Sequence, residues 1–365
     1  MTKTLTAIIR SALGGEAPDI ASVDVKALYR LAKMHDLSHI FAYSLPTPAT
    51  DDPTTERNMK RQMHLAIYRR TLLDRDLEQV SHLFDSEGID YIPLKGAVIK
   101  TLYPESWMRT SCDNDILIRE SDRERAKSLL TTKLGYVAMH DKEKDISFKT
   151  KTQMNTELHF SLCEADNRAY SRLSRVWEDA TLREGSRYTL SNEFFMLYHI
   201  AHMATHMHDG GCGMRPFIDL YLLETKIDCD SGRLYEMLDE CRLREFYQAA
   251  SRLCRVWLED AEHSETTKML EEYVVSGGSY GTRSNMASAQ QSQSGGRMKY
   301  LLSRIFMPKD KLRKIYPQIE ARPYLIPYYQ VKRWCKMLKR DTRKMAKSEI
   351  SGSRSKNDIF TILNL

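Results

Sequence analysis

The chain has 365 residues, of which 42% are hydrophobic, 28% charged and 9% aromatic, and its formal net charge is +6. The hydrophobic share is large enough for buried cores and excludes a wholly disordered chain, and the length suits two or three domains. The seven cysteines form no C-x-x-C pair, no run of about 18 apolar residues occurs, and the apolar run at the N-terminus is too weak for a secretory signal. We therefore expect a cytoplasmic protein without a zinc finger or transmembrane helix.

The first 88 residues are predicted to be helical. Apolar residues recur at helical spacing from Val25 to Ala32. The stretch from Thr55 to Phe84 mixes apolar and charged residues without Pro or Gly, which predicts one long amphipathic helix. Gly88 is placed to end that helix in a left-handed conformation.

A different pattern begins at residue 89, where short apolar runs alternate with helical stretches. Strands are predicted at 89–94, 113–118, 136–140, 146–149 and 156–160. Helices are predicted at 97–103 and at 121–133, the second with Ser121 as its N-cap. Together these elements predict a compact mixed α/β unit.

Beyond this unit, helix is predicted from Ala169 to about Tyr273, and a mobile Ser/Gly/Gln-rich loop from Ser276 to Gly296. The sequence therefore predicts an α+β fold in which a small mixed-sheet core is flanked by N-terminal and C-terminal helical regions. The predicted segments are an N-terminal helical region (1–88), the α/β core (89–165), a helical domain (166–275), a flexible loop (276–296) and a basic C-terminal segment (297–365).

The positive charge is concentrated near the C-terminus. Residues 297–347 contain 16 Lys and Arg and three acidic residues, a net charge of +13, so the rest of the chain carries −7. This asymmetry favours contact with an anion, such as nucleic acid, a phosphorylated substrate or a membrane surface. A solvated helix face or tail is the alternative, and the Tyr and Trp residues of 316–334 are predicted to form the core of the last module.

Two carboxylates occur two residues apart, at Asp113 and Asp115, at the start of a predicted strand. Successive strand residues point to opposite faces, so this pair shares one face. Adjacent carboxylates repel each other unless a cation lies between them, and Mg²⁺ prefers oxygen ligands. Alone, D-x-D is a weak signal, because exposed acid pairs in loops are commoner than metal sites.

Further residues strengthen this interpretation. Glu157 and His159 repeat the two-residue spacing on another predicted strand, so a third carboxylate is expected to meet the first two across the sheet. Lys95 and Gly96 lie at a strand-to-helix junction, where Gly allows the backbone to approach a phosphate and a helix N-terminus attracts anions. Lys95 and Arg109 add positive charge for a triphosphate.

In this pattern the chain resembles the bacterial family of uncharacterised nucleotidyltransferases, within the DNA polymerase β-like superfamily. The likeness covers most of residues 25–335 and is strongest at 89–160. It rests on Leu94-Lys95-Gly96, Arg109, Asp113-Asn114-Asp115 and Glu157-Leu158-His159, and downstream on His202, His206, Gly213, Arg215, Asp219 and residues 316–333.

The resemblance implies transfer of a nucleoside monophosphate from an NTP to a hydroxyl-bearing acceptor, which would be a small molecule, a protein or an RNA. It implies that Asp113 and Asp115 bind Mg²⁺ or Mn²⁺, and that Glu157 completes the metal site or takes the acceptor proton. The Gly-Ser turn of the superfamily is absent, and Lys95-Gly96 stands in its place. Contact of the basic C-terminal segment with RNA or another anion is a further expectation.

The histidines of 199–208 allow several interpretations. His202 and His206, with His159 and Arg215, are candidates for a wall of the substrate cleft. A zinc site at His202 and His206 is an alternative, although no Glu lies between them to act as the general base of a metalloprotease. Packing of the histidines against neighbouring helices is a third interpretation. For Arg215, the alternative to a cleft role is an i,i+4 pair with Asp219 on one helix face. The competing functions are a catalytically inactive binding module of the same fold and, less favoured, a zinc-dependent hydrolase.

Overall fold

The structure is a computed structural model that describes residues 1–16, 23–163, 168–293, 299, 306–337 and 354–365. The chain divides into two compact units. The first unit comprises Met1–Met203 and Met214–His263, and the second comprises Ala204–Gly213 and Ser264–Leu365. The five predicted segments stay a prediction.

The first unit begins with four helices. They are α1 (Thr2–Ala12), α2 (Val25–Met34), α3 (Ser38–Tyr43) and α4 (Pro53–Glu87). The predicted long helix is confirmed as α4, which has 35 residues. Its start is fixed by the Asp52 side chain, which accepts a hydrogen bond from the Thr54 N–H, and Gly88 ends it with a φ of 65°.

In the described part of the chain, one mixed sheet has seven strands in the order β3-β4-β5-β2-β1-β7-β6. The strands are β1 (Tyr91–Pro93), β2 (Asp113–Ile118), β3 (Val137–Asp141), β4 (Asp145–Lys149), β5 (Asn155–His159), β6 (Thr181–Glu184) and β7 (Arg187–Thr189). The β2–β5 and β1–β7 pairs are parallel, and the other pairs are antiparallel.

The remaining helices of the first unit lie between and after the strands. They are α5 (Gly96–Ile99), α6 (Arg123–Thr132), α7 (Val176–Asp179), α8 (Asn192–His208), α9 (Arg215–Lys226), α10 (Ser231–Glu240) and α11 (Arg244–Leu258). Residues 204–208 of α8 belong to the second unit. Short 3-10 turns occur at Lys100–Leu102, Ser106–Met108, Glu120–Asp122 and Arg168–Arg175.

The sheet has an apolar face and a polar face around β2 and β5. Ile116, Ile118 and Leu158 belong to a buried cluster with Phe84 of α4 and Leu130 of α6. Because side chains alternate along a strand, the intervening residues of β2 and β5 point to the opposite face. Packing on one face therefore fixes which side chains the other face presents, and Asp115 and Glu157 are among them.

Two predictions for the first unit are wrong. Helix α6 begins at Arg123, because the 3-10 turn Glu120–Asp122 occupies the preceding residues, and its N-cap is Asp122 rather than Ser121. Residues 181–189, predicted as helix, form the hairpin of β6 and β7. These strands are short and mostly exposed, so they lack a clear apolar alternation. The hairpin is held to α4 through the Asp85 carboxylate, which accepts a hydrogen bond from the Ser186 N–H at 2.8 Å.

The second unit is helical in its described residues. Its helices are α12 (Glu265–Gly277), α13 (Arg283–Gln293), α14 (Lys309–Ile315), α15 (Gln318–Ala321), α16 (Ile326–Met337) and α17 (Arg354–Ile362), with a 3-10 turn at Pro323–Leu325.

The predicted loop at 276–296 is wrong for 283–293, which form α13. The Thr282 hydroxyl accepts a hydrogen bond from the Asn285 N–H at 3.2 Å, and the buried Asn285 amide donates to the Tyr273 carbonyl at 3.0 Å. Tertiary hydrogen bonds of this kind stabilise a helix that its apolar content does not predict. Residues 294–296 lie outside the described residues.

No described helix combines the length and apolar composition that a membrane crossing needs. The finding concerns only the described residues.

Candidate active site

Two neighbouring strands carry the acidic residues of the candidate site. Strands β2 and β5 run parallel, and Asp115 stands opposite Glu157 in their register. By strand alternation, Asp113 and Asp115 share one face of β2, and Glu157 and His159 share the same face of β5. The structure therefore places the three carboxylates that the sequence suggested, together with His159, on one face of the sheet. Asp113 interacts electrostatically with Asp115 and Glu157 but lies outside the group that has metal-ligand spacing.

The side chains of Asp115, Glu157 and His159 have metal-ligand spacing. His159 Nε2 lies 2.8 Å from Asp115 Oδ1 and 3.8 Å from Glu157 Oε2. One donor atom of each of the three residues lies within 4.8 Å of the other two. Carboxylate oxygens are the preferred ligands of Mg²⁺ and Mn²⁺, and imidazole also binds divalent transition metals. The donor set thus fits a divalent cation.

The cluster has an excess of negative charge. Burial and the nearby charge of Asp115 raise the pKa of Asp113, whose Oδ1 accepts a hydrogen bond from the Ser111 hydroxyl at 3.2 Å. Burial and the charges of Asp115 and Asp113 likewise raise the pKa of Glu157. A bound divalent cation would remove this repulsion and allow all three carboxylates to ionise together.

Lys95 supplies a positive charge to this cluster. Its Nζ lies 2.9 Å from Asp115 Oδ1, and its side chain is 22% exposed. Burial opposes ionisation of both partners, but their mutual attraction holds the pKa of Asp115 well below its usual range and raises the pKa of Lys95. The backbone of Lys95 has φ +44° and ψ −117°, a sparsely populated conformation that costs a non-glycine residue about 1–3 kcal/mol.

Tyr198 of α8 is a second neighbour of Lys95. Burial raises the pKa of Tyr198, and Lys95, to which it is hydrogen-bonded, offsets part of that rise. The Tyr198 ring lies 6.2 Å from the His202 ring, at an interplanar angle of 53°. His202 therefore lies one aromatic ring away from Lys95, which makes α8 a wall beside the acidic cluster.

Comparison with known protein families gives information that is independent of the geometry. Residues 21–259 match the model of a family described as uncharacterised nucleotidyltransferase. The chain belongs to this family. The match covers about two thirds of the chain and includes every residue of the acidic cluster, whereas residues 316–333, to which the sequence resemblance extended, lie outside it. Searches of the curated proteins and of the solved structures return no match.

In this member of the family, the side chain of Arg109 is bound to other groups of the same chain. Its Nε donates to both Asp219 carboxylate oxygens at 3.0 and 2.9 Å, and its Nη1 donates to the Thr110 carbonyl at 2.7 Å. The Tyr103 hydroxyl donates to Asp219 Oδ1 at 2.8 Å. Asp219 is fully buried and Arg109 is 7% exposed, so this network joins α9 to the segment before β2.

Gly96 lies against the same segment. A Cβ atom at Gly96 would lie 3.2 Å from the Ser111 hydroxyl and 3.3 Å from Arg109 Nη1, closer than most real contacts of this kind. Gly96 therefore allows Ser111, and with it the start of β2, to pack against α5. Gly96 and Arg109 therefore help to hold the start of β2, and nucleotide binding by Lys95, Gly96 and Arg109 stays a prediction.

The predicted partnership of Arg215 and Asp219 is replaced by two longer-range pairs. Arg215 forms an ion pair with Asp36, and the same Asp36 carboxylate accepts a hydrogen bond from the Thr110 hydroxyl at 2.8 Å. Asp219 pairs with Arg109 instead. Both residues of α9 thus hold the segment that leads into β2, although neither belongs to the acidic cluster.

The zinc hypothesis receives no support from the described residues. Among them, the group with metal-ligand spacing consists of Asp115, Glu157 and His159, and contains neither His202 nor His206. His206 belongs to the second unit. His199, on the same helix, hydrogen-bonds the Pro216 carbonyl through Nε2 at 2.9 Å, a packing role.

Sequence reasoning missed Tyr198 and Ser111. Tyr198 lies within the apolar stripe of α8, so its spacing predicts a core residue, and its contact with Lys95 depends on how the helix packs. Ser111 precedes Asp113 by two residues, and this spacing is the sequence feature that could have indicated its contact with Asp113.

Proposed function

We propose that this chain transfers a nucleoside monophosphate from an NTP to a hydroxyl-bearing acceptor, with Mg²⁺ or Mn²⁺ as the metal. Asp113, Asp115 and Glu157 would hold the metal. The observation that carries the proposal is the convergence of three carboxylates from β2 and β5 with more negative charge than Lys95 and His159 offset.

When bound, a divalent metal neutralises negative charge on the α-phosphate and the leaving pyrophosphate. The residues of the chain would position the reactants around it. Lys95, now paired with Asp115, is available to bind triphosphate oxygens as an ammonium point charge. Tyr198 orients Lys95, and His159 holds the Asp115 carboxylate through Nε2. Little covalent chemistry by the protein is needed, so position and electrostatics supply most of the rate.

A second candidate is a binding module that keeps the fold without the reaction. One observation favours it: Asp115 Oδ1 is already contacted by both Lys95 Nζ at 2.9 Å and His159 Nε2 at 2.8 Å. These contacts stabilise the carboxylate without a metal. This candidate predicts NTP binding with no transfer of label.

The test uses the full-length protein with each α-labelled NTP, Mg²⁺ or Mn²⁺, and a cell extract that supplies acceptors. The parent is expected to move label onto an acceptor, and Asp113→Asn and Asp115→Asn are each expected to lower the rate of that transfer about 10²- to 10³-fold. The matched control is Asp51→Asn, because Asp51 is an exposed carboxylate outside the cluster. NTP binding without transfer by the parent would favour the second candidate, and equal transfer by all variants would contradict both.

A further inference from the structure

The aromatic residues around α16 differ in their ring contacts. The rings of Phe306, which is 60% exposed, and Trp334 meet edge to face at 5.7 Å, and the rings of the partly buried Tyr316 and Tyr329 stack at 4.5 Å. These contacts tie α16 to the residues before it.

Two further tyrosines face solvent. Tyr324 is 74% exposed and Tyr328 is 58% exposed, so the prediction that the aromatic residues of 316–334 are core is wrong for these two. Lys332 is also exposed, and its Nζ lies 5.9 Å from the Tyr328 ring. Tyr328 and Lys332 are four residues apart and lie on the same face of α16. Burial of a tyrosine ring is strongly favourable, so two exposed rings, one of them beside a lysine, indicate a surface for a partner.

The charge around these rings is strongly positive. Residues 306–337 contain eight Lys and Arg and two acidic residues, a net charge of +6. Lys309, Arg313 and Arg322 are exposed together with Lys332. A basic surface favours polyanions, and exposed rings among basic side chains add contacts that phosphate groups alone do not use.

We propose that Tyr324, Tyr328 and Lys332, with the surrounding basic residues, form a surface that binds single-stranded RNA. Unpaired bases stack on tyrosine rings while the backbone phosphates pair with lysine and arginine. RNA offers unpaired bases in its loops and ends, whereas the bases of duplex DNA are stacked inside the helix. A membrane-binding helix would instead present a continuous face of Leu, Phe or Trp, and Tyr328, Val331, Lys332 and Cys335 on the exposed face of α16 form no such surface. The inference goes beyond nucleotidyl transfer and does not depend on it.

The experiment measures binding of the full-length chain to a fluorescein-labelled single-stranded RNA of about 12 nucleotides by anisotropy, within the site sizes of single-strand binding surfaces. Metal and NTP are omitted, so failure of transfer and failure of RNA binding are distinguishable. The variants are Tyr324→Ser with Tyr328→Ser, and Lys332→Gln. The controls are Tyr280→Ser, which removes a tyrosine that is 91% exposed outside the surface, and Lys33→Gln, which removes an exposed lysine of α2. Circular dichroism checks that each variant is folded.

The double tyrosine variant is expected to raise the RNA dissociation constant at least about fivefold, the lower limit for losing one base–aromatic stack. Lys332→Gln is expected to weaken binding and to lower the slope of log K against log salt by about one. Both controls are expected to bind as the parent does. Equal binding by the double variant and Tyr280→Ser would overturn the proposal. So would tighter binding to duplex RNA, to single-stranded DNA of the same sequence, or to phosphatidylserine vesicles.

Discussion

Two ionic clusters of the first unit differ in burial and in charge balance. In one, Arg109 pairs with Asp219, both partners are nearly or fully buried, and the Tyr103 hydroxyl satisfies a remaining carboxylate lone pair. In the other, three carboxylates around Asp115 are faced by one lysine and one histidine. A balanced buried pair is complete within the protein, whereas an excess of carboxylates in a partly buried cluster favours a further cation.

Charged residues therefore have different roles in the two clusters. The Arg109–Asp219 pair positions the segment that leads into β2, and its charges are already matched. The cluster at Asp115 keeps unmatched negative charge on the polar face of the sheet, where a metal and a triphosphate would complete it. Removal of a residue should therefore affect stability in the first cluster and chemistry in the second.

The largest effect on the transfer rate is expected from Asp113→Asn. This substitution keeps the shape of the side chain and removes one negative charge, so the transfer rate should fall about 10²- to 10³-fold, as for loss of one group that stabilises transition-state charge. The free energy of unfolding should stay the same or rise, because repulsion with Asp115 is relieved. Rates of label transfer and urea denaturation together check this. A large loss of stability in the variant would place Asp113 with the structural cluster instead.

The largest effect on the free energy of unfolding is expected from Arg109→Met. The substitution leaves Asp219 buried without its cation, which should lower the free energy of unfolding by about 3–5 kcal/mol. Urea denaturation measures the loss, and the double variant Arg109→Met with Asp219→Leu should recover part of it because no charge stays unpaired. A loss below about 1 kcal/mol, the range of exposed pairs, would contradict the assignment of this pair as a buried structural cluster.

Bound metal should increase the stability of the protein through the cluster around Asp115. Mg²⁺ at about 100 times its dissociation constant should stabilise the folded parent by about 2.7 kcal/mol, since it binds the native state. Glu157→Gln should lose most of that gain, and Asp51→Asn should keep it. Thermal melting with and without Mg²⁺ gives the result, and equal stabilisation of the two variants would remove Glu157 from the metal site.

The smallest effects are expected from alanine substitution of two glycines, Gly96 and Gly88. Gly96→Ala should cost about 1–3 kcal/mol, because its Cβ presses on Ser111 and Arg109, and transfer should fall with it since Lys95 is the adjacent residue. Gly88→Ala has open space but a φ of 65°, so it should cost about 1–2 kcal/mol without changing transfer. Unfolding and transfer assays on both variants test this, and an equal loss of transfer in Gly88→Ala would show that stability alone governs the rate.

The sequence predicted the parts of this site that follow from local pattern. The strand at Asp113–Ile118 and the two-residue spacing of its acids are visible in the chain, and the likeness of Glu157-Leu158-His159 placed the third acid. The partner of Asp219 was not predictable, because Arg109 lies 110 residues away and an i,i+4 partner was closer in sequence. Helix α13 was missed for a related reason, since buried Asn285, Ser288 and Gln291 make its sequence look like a loop.

The most direct test of the account is Mn²⁺ binding, followed by electron paramagnetic resonance, in the presence of a non-hydrolysable NTP. Parent and Asp51→Asn should bind Mn²⁺ with the same affinity, and Asp113→Asn and Glu157→Gln should each bind at least about tenfold more weakly, a difference of 1.4 kcal/mol. Equal Mn²⁺ affinity in all four proteins would contradict the claim that these carboxylates form a metal site for nucleotidyl transfer.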